Sequence, residues 1–151
     1  MTGDVPTAQP TRVLLVALGA AWVVTLAGLV WMMNLAGMRP HHALLFPIYM
    51  DLVLKACVVL SVVSAAIGII SVRAGARPRA LIGVGGAFGW GVMGALYGAA
   101  NARLMLINMN PPIPFAIYAP GYAEALVVLL VGLTGTLLGL ALLSVRSPRR
   151  I

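Results

Sequence analysis

The sequence predicts an all-α integral membrane protein with four transmembrane helices and both termini in the cytoplasm. Three observations carry that prediction. Of 151 residues, 62% are hydrophobic and only 9% are charged, against about 25% charged in a soluble domain, and the mean hydropathy is +1.04. The apolar residues fall into four runs, each long enough to cross a hydrocarbon core about 30 Å thick. The basic residues gather at the ends of those runs: Arg12 before the first, Arg73, Arg77 and Arg79 between the second and third, and Arg146, Arg149 and Arg150 after the fourth. The positive-inside rule places all three groups in the cytoplasm. Four spans satisfy that placement; three or five do not. The net charge of +7 therefore reads as topology and contact with lipid head groups rather than as a nucleic-acid surface.

Residues 1–12 form a short polar tail, and the run at 13–33 is too long for a signal-peptide core, so it is expected to be the first membrane helix. Trp31, near its end, suits the membrane interface. The loop that follows holds Gly37, Arg39, Pro40, His41 and His42. Adjacent histidines point to different sides of a helix or strand, and no Cys, Asp or Glu stands close in sequence, so no metal or haem site is expected. The second helix is expected at 46–72. Asp51 and Lys55 lie four residues apart within it, a spacing that lets them pair, with the acid on the favourable N-terminal side. Ser61 and Ser64 are expected to bond to their own helix backbone. The single Cys57 excludes an internal disulfide and a multi-cysteine metal site.

The third helix, expected at 80–103, is crowded with small residues. Ala87, Gly91, Ala95 and Ala99 recur every four residues, and Gly94, Gly98 and Ala102 make an adjoining stripe. Stripes of this period let helix backbones approach closely in lipid. Whether they meet helices of the same chain or of another copy is not encoded. Residues 104–118, with Asn108, Asn110, Pro111, Pro112 and Pro114, cannot continue the helix and form an outer connection. The fourth helix, expected at 121–145, has Pro120 and Gly121 at its start and a second small pair, Gly135 and Gly139. Thr134 and Thr136 either line a wet path or bond their own backbone. Residues 146–151 form a basic tail.

Glu124 is the one acid inside this last run. An ionisable group at the edge of a membrane helix is a functional candidate, although a carboxylate in a first turn is also favoured by the helix dipole. Arg103, across the outer connection, is a possible ion partner.

The stretch Ala119-Pro-Gly-Tyr-Ala-Glu-Ala-Leu126 resembles the A-P-G-x-A-E-A-L start of the last membrane helix in the MotA/TolQ/ExbB proton-channel family. Upstream, Trp90-Gly-Val-Met-Gly94 is similar in place to that family's G-T-V-x-G stretch. The resemblance covers roughly residues 80–143, and the helix directions it implies agree with those the arginines imply. The family's threonine in the first motif falls on Gly91, and the one after the glutamate falls on Leu129. Only Glu124 carries over, as a pore-lining or partner-facing carboxylate. The resemblance implies a ring of identical chains in the inner (plasma) membrane, with a partner's single helix in the lumen and proton-motive-force-driven transport or energy transduction as the output. The alternative is a non-conducting membrane scaffold or assembly subunit. An enzyme is not expected, since two adjacent histidines and one apolar-run cysteine do not assemble a catalytic site, and no cofactor is implied.

Overall fold

The computed structural model describes residues 9–107 and 113–146. Four helices among them are long and apolar enough to cross a membrane. They are α1 (Gln9–Leu35), α3 (Leu52–Arg73), α4 (Arg77–Ile107) and α5 (Ala119–Arg146). A 3-10 turn (Pro40–Leu45) and a single-turn helix α2 (Phe46–Tyr49) join α1 to α3, and a second 3-10 turn (Phe115–Ile117) precedes α5. The tail before residue 9, the part of the α4–α5 connection at 108–112 and the tail after residue 146 lie outside the described residues, with Asn108, Asn110, Arg149 and Arg150 among them.

Local chemistry sets most of the helix ends. The α1 and α3 helices finish on left-handed glycines, Gly37 (φ 66) and Gly75 (φ 75). In each, the next amide reaches back to an orphan carbonyl: Met38 N to Met33 O at 2.9 Å and Ala76 N to Ser71 O at 2.9 Å. Glycine enters this conformation without strain, and the paired bonds satisfy carbonyls left over at the helix end. Pro78 lies in the first turn of α4, where its missing N–H costs nothing.

The expected helix at 46–72 is broken. Pro47 starts α2, and Asp51 adopts an extended backbone (ψ 151) as the residue before α3. That break also removes the expected Asp51–Lys55 pair. Asp51 stands outside regular helix, its carboxylate accepts a hydrogen bond from Tyr97 instead, and no ion pair forms among the described residues.

The bundle is organised around α5, which packs against α1, α3 and α4, while α3 and α4 also share a long seam. Small residues explain why the backbones come so close. A Cβ added to Gly132 of α5 would lie 2.6 Å from Gly91 Cα and 2.8 Å from Ala87 O of α4. A Cβ on Gly83 of α4 would lie 2.6 Å from Gly68 Cα of α3. Between helices this apolar, small residues at the crossings allow close van der Waals contact. Ser61 adds a bond across the α3–α4 seam to Ala87 O at 2.8 Å, rather than to its own helix as expected. A buried cluster of Leu29, Met33, Phe46, Met50, Leu54 and Val128 closes the end of the bundle where α2 sits.

Helix α1 rests mainly on α5. Trp22 donates its indole N–H to Thr134 Oγ1 at 2.9 Å, and Gly28 leaves room for Leu126. Trp22→Phe should lower thermal stability in detergent by about 0.5–1.5 kcal/mol. Thr134→Val should cost a similar amount, and the double variant should cost less than the sum, since both delete one bond. Additive losses would mean that this bond does not tie α1 to the bundle.

The helix directions gather Arg12, Arg73, Arg77 and Arg79 at one end, all exposed, and Asp51 and Glu124 at the other. In a Cys57→Ala background, cysteines at exposed Ala74 and exposed Ile117 should label from opposite sides of a sealed vesicle. Labelling of both from one side would rule out the four-span arrangement.

Candidate functional site

The acidic end of the bundle is built where three helices converge. A Cβ on Gly98 of α4 would meet Ala125 Cβ of α5 at 2.9 Å and Leu54 Cδ2 of α3 at 3.4 Å. Tyr97 and Glu124 are the neighbours of Gly98 and Ala125, and Asp51 stands just before the first turn of α3. The three polar side chains therefore occupy one level. Tyr97 donates its hydroxyl to Asp51 Oδ2 at 2.7 Å, tying α4 to the start of α3.

Glu124 shares its face of α5 with Val128 and Gly135 by helical spacing. Val128 closes, with Cys57 of α3, on Gly94 of α4, and Gly135 faces Ala65 of α3 and Ala87 of α4, so the carboxylate is on the side of α5 turned toward α3 and α4. It is half-buried and close enough to Asp51 for the two charges to interact. Among the described residues it has neither a hydrogen-bond partner nor an ion partner. Arg103 is exposed and does not pair with it. The expected Arg103–Glu124 bridge is absent because the arginine lies on the solvent-facing side of α4 rather than on its α5-facing stripe of Gly98 and Ala102. Just ahead of α5, six residues before Glu124, the Tyr118 hydroxyl is buried with no partner among the described residues.

The remaining candidate residues lie elsewhere. Thr136 is buried and donates to Gly132 O at 2.8 Å. Thr134 donates to Leu130 O at 2.7 Å while accepting from Trp22. Both hydroxyls are thus engaged with backbone inside the chain. Gly91, Gly94, Gly98, Gly135 and Gly139 all face neighbouring helices of the same chain. Ala95 is only partly covered. The His41 and His42 rings meet edge to face at 4.3 Å, and His42 Nδ1 accepts from the Arg39 amide at 3.2 Å. No group of three or more His, Cys, Asp or Glu side chains gathers among the described residues.

The Tyr97–Asp51 bond and the Trp22–Thr134 bond escape sequence reasoning. The available signal was weak: a polar residue on the helix each packs against, with no spacing to link them. Chemically, the acidic end can take up and release a proton or attract a cationic group of another chain. No protein-family model, no curated protein and no solved structure matches this chain.

Proposed function

We propose that the chain is a small multi-pass subunit of the inner (plasma) membrane that works as the MotA/TolQ/ExbB proton-channel proteins do. Identical copies form a ring, and a single-span partner sits against it. The observation that carries this reading is Glu124: a half-buried carboxylate at the start of the most enclosed helix, with no internal partner among the described residues. A group taken from water in this way is costly unless something else uses it. Asp51 beside it strengthens the local attraction for protons and cations. Glu124 would tune the ring wall along which a proton passes to and from a carboxylate of the partner. The outward face of α4 supports assembly, because Gly85 and Gly89 have nothing within 4 Å and leave a flat strip against which a second copy can pack.

The competing reading, a non-conducting scaffold, is favoured by Thr134 and Thr136, whose hydroxyls are directed at backbone rather than at a wet path. The mass of the purified complex in detergent separates the two. A closed ring of several copies is expected. A monomer or dimer would leave no central path and would remove the channel reading.

A further inference from the structure

A shallow apolar groove of about 290 Å³ lies over α5 beside α3, lined by Val62, Ala65, Val131, Thr134 and Leu138 among others. It exists because Ala65 and Gly135 are small where α3 meets α5, and because α1 rests on α5 without a comparable seam along α3. The Trp22–Thr134 bond marks its α1 edge.

We propose that this groove holds one acyl chain of an anionic phospholipid whose head group rests between Arg12 and Arg73. Depth is the first argument. At about 1.5 Å per residue, Arg73 stands about 12 Å beyond Ala65 along α3, and Arg12 about 15 Å before Trp22 along α1. One leaflet of hydrocarbon is about 15 Å deep, so a chain anchored at the arginines reaches the groove. Direction is the second. Arg73 follows Val62 by eleven residues, three full turns, and so lies on the same face of α3, while Arg12 sits within about a quarter turn of Trp22. Both arginines are exposed and have no ion partner among the described residues, and the described acids, Asp51 and Glu124, are at the opposite end. Shape is the third. The groove is shallow and apolar, formed where Ala65 and Gly135 are small, which suits a flexible hydrocarbon chain, and the two arginines toward the end of the bundle select an anionic head group. This site is separate from Glu124 and stands whether or not that residue serves proton transfer.

Native mass spectrometry of the detergent-purified protein tests the proposal, using equal amounts of phosphatidylglycerol and phosphatidylcholine. Wild type should retain the phosphatidylglycerol adduct about thirtyfold more than the phosphatidylcholine adduct, as two arginines near an anionic head group would give. Arg12→Gln with Arg73→Gln should abolish the preference, while Arg39→Gln, on the loop at the opposite end, should preserve it. Val62→Trp, or Leu138→Trp at the same groove, should remove the retained adduct with the melting temperature unchanged, since both native residues are exposed. Equal retention of the two lipids by wild type would overturn the proposal. So would a preference that survives the double arginine variant or the filled groove, or one lost only with Arg77→Gln and Arg79→Gln.

Discussion

Gly132→Leu is expected to prevent the bundle from forming, and Gly132→Ala to cost about 1–3 kcal/mol through overpacking. The crossing of α4 and α5 is backbone against backbone. The first carbon of any side chain at 132 would sit 2.6 Å from Gly91 Cα and 2.8 Å from Ala87 O, and neither atom can swing aside as a side chain would. The helices would have to separate, which would also draw Thr136 away from α4 and loosen the Ala87 region that receives the Ser61 bond. Gly98→Leu should act in the same direction, since Ala125 Cβ and Leu54 Cδ2 close on that position at 2.9 and 3.4 Å. Gly89→Ala is the contrasting case. With nothing within 4 Å of its added carbon, it should be neutral within one copy or stabilise by up to about 1 kcal/mol through helix propensity. Unfolding in mixed detergent reads all four variants. A Gly132→Ala variant as stable as Gly89→Ala would mean that α4 and α5 do not cross at these glycines.

Glu124→Gln is expected to preserve the fold and remove the function. The amide keeps the shape of the carboxylate, so the packing of Ala123 and Ala125 beside it is untouched. What is lost is a favourable charge near a helix N-terminus, about 0.3–1 kcal/mol, and part of that is returned by relief of repulsion from Asp51. No ion pair within the described residues is broken. Arg103→Gln should therefore leave stability unchanged, whereas a hidden Arg103–Glu124 bridge would make the two variants equally costly. Intact assembly with lost function in Glu124→Gln is the outcome that the proposed role of this carboxylate requires.

Much of this architecture is legible in the sequence, for reasons that differ from element to element. The four helices are announced by the length of their apolar runs, because lipid demands a minimum span and leaves few alternatives. The turn after α3 follows from Gly75 and Pro78. The small-residue stripes of α4 are visible by spacing, but their partners are not. In lipid both faces of a helix are apolar, so periodicity cannot say that Gly91 meets Gly132 or that Gly83 meets Gly68. The interruption at Met50 and Asp51 is hidden because Pro47 is equally compatible with the first turn of one long helix. Pairing at four-residue spacing assumes regular helix through both residues, and Asp51 lies outside it. The central position of α5 has only a faint trace: Ala119, Ala123 and Ala125 are small enough to be enclosed, as they are.

Proton uptake tests the account most directly. Liposomes would hold equal amounts of assembled wild-type or Glu124→Gln protein, together with a single-span partner carrying a membrane aspartate. The account predicts proton uptake with wild type, background uptake with Glu124→Gln, and the same complex mass and yield for both. Wild-type uptake by a fully assembled Glu124→Gln complex would contradict it.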